Sequence, residues 1–142
     1  MKVKTKSKEK FSVKRSPHGG FGLFANMELK KGDEILEYRG PIITDEQANK
    51  KLGMYIFALD HGLNIDGSGR SNKARYINHS CRPNAEAYKV GKKQVFIYAM
   101  KKILPGEEIT YDYGREFFEG HIIERGCLCG HCNGKGKLKK KK

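Results

Sequence analysis

Apolar positions along this chain come in short bursts, not in long periodic stretches. The segment "FSVKRSPHGGFGLFANMELKKGDEILEYRGPII" (11–43) is cut by Pro17, Gly19, Gly20, Gly22, Gly32 and Gly40 into pieces such as "GLFA" and "EILEY". These are strand lengths, too short for helices. "TDEQANKKL" (44–52) offers Thr44 as N-cap, acids in its first turn, lysines in its last and Gly53 beyond, which predicts a short helix. "MYIFALD" and "LNIDGSG" flank His61-Gly62 and predict a hairpin. "AEAYKVGKKQVFIYAMKKI" predicts two strands around Gly91-Lys92-Lys93, and "LPGEEITYDYG" a turn at Pro105-Gly106 followed by a strand. On that strand Tyr111 and Tyr113 share a face. "REFFEGHIIERG" (115–126) reads as one or two helical turns. With no repeat and no long linker, the sum is a mainly β domain with a few short helices.

Length and charge narrow this picture. A chain of 142 residues is about one domain with one core. Its 29 Lys and Arg against 16 Asp and Glu give a formal charge of +13, so an acidic partner is expected. The excess sits at the ends, in "MKVKTKSKEK" (1–10) and "KGKLKKKK" (135–142). Both read as solvated arms: either solubility tails, or surfaces for non-specific binding of nucleic acid or an acidic protein. No apolar run approaches the roughly 18 residues of a membrane span, and the first residues lack a signal peptide's hydrophobic centre. The expectation is an intracellular protein without membrane contact, in which the sequon Asn78-His79-Ser80 is a chance match.

The cysteines add a metal. Cys127-Leu-Cys129-Gly-His-Cys132 holds three thiols within six residues, too close for more than one easy disulfide. In an intracellular chain that spacing favours zinc over buried reduced thiols. A closed zinc site takes four ligands, and the remaining cysteine is Cys81. His131 is a possible substitute ligand, but Cys132 would then be hard to seat. Four protein ligands leave no open position, so the expected role is structural.

Together, "ARYINHSCRPNAEAY" (74–88), "ILPGEEITYDYG" (103–114) and "CLCGHC" (127–132) resemble the SET-domain protein lysine methyltransferases, with their two signature motifs and post-SET cysteines. "GGFGLFANMELKKGDEILEYRG" (19–40) resembles that domain's glycine-containing opening. The resemblance implies a SET-domain fold of small curved sheets with a C-terminal pseudoknot, in which "RYINHSC" and "ITYDYG" lie side by side. It implies a basic arm (1–10), a SET domain (11–114), a zinc-binding post-SET segment (115–134) and a basic tail (135–142). Without a cysteine-rich pre-SET region, the expectation is a compact microbial or viral member. It would act in the cytoplasm or nucleoid of a microbe, or in a host nucleus.

The implied reaction is methyl transfer from S-adenosylmethionine to the ε-amine of a protein lysine. The expected substrate is a histone or another basic chromosomal protein. By resemblance, Gly20, Phe21 and Gly22 would lie against the cofactor, Asn78 and His79 would bind it through side chain and backbone, and Arg75 would stand nearby. Leu128 would cover its adenine once zinc on Cys81, Cys127, Cys129 and Cys132 orders the tail. Tyr113 would be the catalytic tyrosine, with Tyr111 and Tyr55 lining the lysine channel and Tyr55 and Tyr113 also meeting the cofactor. A tyrosine at the place of Tyr111 implies mono- or dimethylation, where phenylalanine permits trimethylation. The chain departs from the family in its shorter Cys-x-Cys-x-x-Cys spacing, in Phe21 for a frequent tryptophan, and in Pro41, which fits only a sheet edge or a strand start. A SET-like module that binds peptide or nucleic acid without transferring methyl groups is the competing reading.

Overall fold

The computed structural model describes residues 10–17, 20–51 and 55–113. Ten short strands, one α-helix and one 3-10 turn occupy them, so the chain is mainly β as its pattern predicts. The expected helical turns at 115–126, the post-SET segment with Cys127, Leu128, Cys129 and Cys132, and both terminal arms up to residue 9 and from residue 135 lie outside the described residues. No helix among the described residues is long and apolar enough to cross a membrane.

The larger sheet has the order β1 (Phe11–Arg15), β2 (Phe21–Ala25), β10 (Glu108–Tyr111), β8 (Ala85–Val90), β9 (Gln94–Ala99), β3 (Glu34–Glu37), with β7 (Asn78–His79) paired to β10 off this path. β1 (Phe11–Arg15) and β2 (Phe21–Ala25) form an antiparallel pair with Val13 opposite Leu23. β8 (Ala85–Val90) and β9 (Gln94–Ala99) form the hairpin expected around Gly91, whose φ of 66° places it in the left-handed region that glycine tolerates. On β9 the residues Val95, Ile97 and Ala99 are buried in strict alternation and meet Leu23, Ile77, Ile103 and Ile109 in one core. β3 (Glu34–Glu37) closes the far edge against β9 with a register shift between Glu34 and Leu36.

A second sheet has the order β4 (Ile42–Thr44), β6 (Leu63–Asp66), β5 (Ile56–Ala58). Pro41 directly precedes its edge strand β4 (Ile42–Thr44), where a missing N–H costs no ladder bond. The turn joining β5 (Ile56–Ala58) to β6 (Leu63–Asp66) has positive φ at both His61 and Gly62, as a type I′ turn requires. α1 (Asp45–Lys51) starts on a reciprocal cap: the Gln47 N–H donates to Thr44 Oγ1 at 3.2 Å, and the Thr44 N–H to Gln47 Oε1 at 2.9 Å. At the other predicted turn, Glu107 N–H donates to Leu104 O across Pro105-Gly106, with Gly106 at φ 90°.

What positions the site is a crossing of distant segments. β7 (Asn78–His79) runs parallel to β10 (Glu108–Tyr111), with Asn78 opposite Thr110 and His79 opposite Tyr111. "RYINHSC" and the described part of "ITYDYG", up to Tyr113, therefore lie side by side, as expected. Asn84 extends the seam by a side chain: its amide donates to Glu108 O and accepts from Thr110 N–H, both at 2.9 Å. One asparagine thus takes the place of a stretch of strand ladder.

Candidate active site

The seam carries Asn78, His79, Tyr111 and Tyr113 of the residues singled out from the sequence. The 3-10 turn Lys73–Tyr76 delivers the chain into β7, with Ile77 and Ala74 buried in the core. Asn78 then directs its amide at β2 and β10: Nδ2 donates to Phe21 O at 2.9 Å and to Glu108 Oε2 at 2.7 Å. Both neighbours accept only, so chemistry fixes which way the amide points. Glu108 receives a further bond from Ser16 Oγ at 2.8 Å. Gly20 has φ of 62° and open space around it, whereas a Cβ on Gly22 would lie 2.2 Å from Glu108 Oε2. A side chain at Gly22 would thus have to displace the Glu108 carboxylate, a constraint beyond the cofactor approach expected from the sequence.

The tyrosines form one group. The ring of Tyr113 lies 5.0 Å from that of Tyr111 and 5.4 Å from the His79 imidazole, both edge-on. Tyr113 donates its hydroxyl to Ile77 O in a short hydrogen bond, and its N–H to His79 Nδ1 at 3.1 Å. Tyr111 is only 6% exposed, and burial, reinforced by Tyr113 and Tyr38, holds its hydroxyl protonated well above the ordinary tyrosine range. That hydroxyl has no hydrogen-bond partner among the described residues. Tyr55 carries the Arg75 guanidinium 4.5 Å above its ring. Arg75 also reaches Tyr76 Oη at 3.1 Å, while its buried Nε has no partner among the described residues.

Three contributors to this site were not legible in the sequence. Tyr38 donates to Tyr55 O at 2.7 Å, and its pKa is raised by burial first and by Tyr113, Asp66 and Tyr55 next, against Arg75. Asp66 stands behind Tyr55, bonded to Ser68 and 3.2 Å from Lys51 Nζ. Burial opposes its charge, but the Ser68 hydroxyl and N–H and the Lys51 ammonium outweigh that and hold the carboxyl below the usual range. Glu108 is the third. The spacing Glu-x-x-Tyr-x-Tyr puts it on the tyrosine strand, and no rule of periodicity marks it out.

His79 and Cys81 bear on zinc. Among the described residues no three metal-ligating groups come together, and three of the four expected ligands lie outside them. The fourth fits the role. Cys81 is buried, with Sγ 3.5 Å from His79 Nε2. Because His79 Nδ1 accepts from Tyr113, Nε2 carries the hydrogen and aims it at the sulfur, a contact that suits a metal-bound thiolate. With both ring nitrogens committed inside the protein, only the main chain of His79 is left to meet a ligand.

Against known proteins, the family described as SET domain matches residues 20–114. The chain is 35% identical over 139 residues to histone-lysine N-methyltransferase trithorax of Drosophila virilis, covering 90% of this chain and 4% of that protein. It is 38% identical over 139 residues to histone-lysine N-methyltransferase 2B of Homo sapiens, covering 90% and 5%. A histone-lysine N-methyltransferase of Schizosaccharomyces pombe, H3 lysine-4 specific, is 37% identical over 129 residues, covering 82% and 14%. The chain thus spans a small part of each of these relatives.

Proposed function

The chain belongs to the SET-domain family, and from that premise we propose that it is an S-adenosylmethionine-dependent protein-lysine methyltransferase acting on a histone lysine. The observation that carries the proposal is the parallel seam of β7 and β10, which sets Asn78 and His79 beside Tyr111 and Tyr113. The names of the relatives support the substrate class. Zinc on Cys81, Cys127, Cys129 and Cys132, with Leu128 folded over the adenine, belongs to the same proposal as an architectural element.

Bound S-adenosylmethionine supplies an electrophilic methyl on a positively charged sulfonium. The residues present suit such a guest: Asn78 offers an unshared Oδ1, Gly20 holds a turn that only glycine adopts without strain, and Arg75 offers a buried Nε–H. The chain's remaining task concerns the lysine. In water its ammonium has a pKa of about 10.4, and only the free amine is nucleophilic. A channel walled by Tyr55, Tyr111 and Tyr113 desolvates that ammonium and favours the neutral form. That neutral amine would be the nucleophile for the methyl that the bound sulfonium would supply, and solvent would take the proton that the methylated amine gives up. Tyr111, held protonated by burial, does not compete as a nucleophile, and the Tyr113 hydroxyl is engaged as a donor to Ile77 O. Alignment of the reacting atoms contributes on the order of 7–11 kcal/mol.

The available Tyr111 hydroxyl supports mono- or dimethylation, because it occupies volume and a hydrogen-bonding position that a bulkier amine would need. The test is incubation of recombinant histones with labelled S-adenosylmethionine, comparing wild type with Tyr113→Phe. Label on lysine that is lost in the variant is the expected result. Wild type that binds neither the cofactor nor its demethylated product in calorimetry, and labels no histone, would favour the non-catalytic binding module.

A further inference from the structure

We propose that Glu108 is a positioning residue that fixes Asn78 as an acceptor for the ammonium of the cofactor's amino-acid end, an inference that rests on the S-adenosylmethionine site above. The Asn78 amide has two N–H groups, and both are spent on oxygens, Glu108 Oε2 at 2.7 Å and Phe21 O at 2.9 Å. Its Oδ1 has no partner among the described residues. The atom left for a ligand is thus an acceptor, held in one orientation by a carboxylate behind it. Polarisation by that carboxylate strengthens the carbonyl as an acceptor, and the negative charge favours a cation over a neutral hydroxyl.

Glu108 is itself seated from three sides. Ser16 Oγ donates to Oε1 at 2.8 Å from the end of β1. Gly22 of β2 clears its space, since a Cβ there would stand 2.2 Å from Oε2 and 3.2 Å from Asn78 Nδ2. The β10 backbone is pinned by the Asn84 amide on Glu108 O. Residues 92 positions apart thus converge on one carboxylate whose remaining oxygen faces Asn78. A residue that merely held strands together would need no such arrangement around the amide of a ligand-facing side chain.

The experiment compares calorimetric affinity for S-adenosylhomocysteine, which carries the amino-acid end, with that for 5′-methylthioadenosine, which lacks it. In Glu108→Ala the preference for the first ligand should fall by about tenfold or more, the scale of a charge-assisted hydrogen bond. Affinity for 5′-methylthioadenosine should stay within about twofold, the small change expected where no hydrogen bond to the ligand is removed. Gly22→Ala should act in the same direction by displacing the carboxylate. Glu108→Gln can still offer Asn78 an oxygen while Ser16 turns to accept, so it should keep more of the preference than Glu108→Ala. Equal losses for both ligands, or an unchanged preference in Glu108→Ala, would overturn the proposal. If Glu108→Ala does not fold, Glu108→Gln and Ser16→Ala carry the comparison, and an unchanged preference in both overturns it. Absence of S-adenosylhomocysteine binding by the wild type would instead refute the cofactor site itself.

Discussion

Replacing Asn84 by alanine tests how the site is held together. Its amide makes two bonds of 2.9 Å to the main chain of β10, at Glu108 O and Thr110 N–H. Thr110 is 7% exposed, so its N–H has little access to water once the partner is gone. Losing two bonds costs about 0.5–1.5 kcal/mol each, and stranding one buried donor raises the total to about 2–4 kcal/mol. With a urea m-value of about 2 kcal/mol/M, the unfolding midpoint should drop by about 1–2 M at unchanged slope. Two-state urea titration followed by circular dichroism measures it. A loss below about 0.5 kcal/mol, less than one ordinary hydrogen bond, would mean that water replaces the amide and that the seam does not depend on it. The same variant should weaken cofactor binding, because Asn84 anchors the strand opposite Asn78.

Three further outcomes follow from the site. Burial raises the pKa of Tyr111 and of Tyr38 above the ordinary value, so stability from their protonated hydroxyls is fully present below pH about 10 and is lost as pH rises beyond it; Tyr111→Phe should flatten the fall in urea midpoint between pH 9 and 11, and an unchanged slope would contradict the assignment. Mass spectrometry of methylated histone should show more trimethyl-lysine with Tyr111→Phe than with wild type, and abundant trimethyl product from wild type without an increase in the variant counts against the channel reading. Cys81→Ser should lower bound zinc and cofactor affinity together, and zinc lost at unchanged affinity would sever the link drawn through Cys81.

Local chemistry made much of the fold readable. Thr44 caps α1, His61-Gly62 turns one hairpin, Gly91 another, and Pro41 stands at an edge, because each signal lies within a few residues of its effect. The pairing of β7 with β10 is a contact between segments some thirty residues apart, and it was readable only through family resemblance. Ser16, Asn84 and Glu108 escaped notice because their value lies in partners 24 to 92 positions away. Gly22 was picked out as a point of close approach, and the crowding by Glu108 is a further constraint on it that the sequence did not reveal. Tyr38, read as the end of a strand piece, proved to brace Tyr55 from beneath.

The seam also explains why the site depends on polar contacts. From Glu108 to Tyr113, residues of one segment engage residues 77–84 in turn. Glu108 takes Asn78 by its side chain and Asn84 by its main chain, and Thr110 takes Asn84 again. Tyr111 O accepts from Ser80 N–H, while Tyr113 binds His79 Nδ1 and Ile77 O. Hydrophobic burial is non-directional and fixes position loosely, whereas methyl transfer loses about a hundredfold for a displacement near 1 Å. Directional bonds supply the tolerance that packing alone does not. Asn78, Tyr111 and Tyr113 are therefore tied to one another through the hydrogen bonds of the seam. Substitutions of Asn78 or Glu108 should cost more in cofactor binding and rate than in stability, Asn84→Ala should cost both, and apolar truncations such as Ile109→Ala in the core beneath should cost mainly stability.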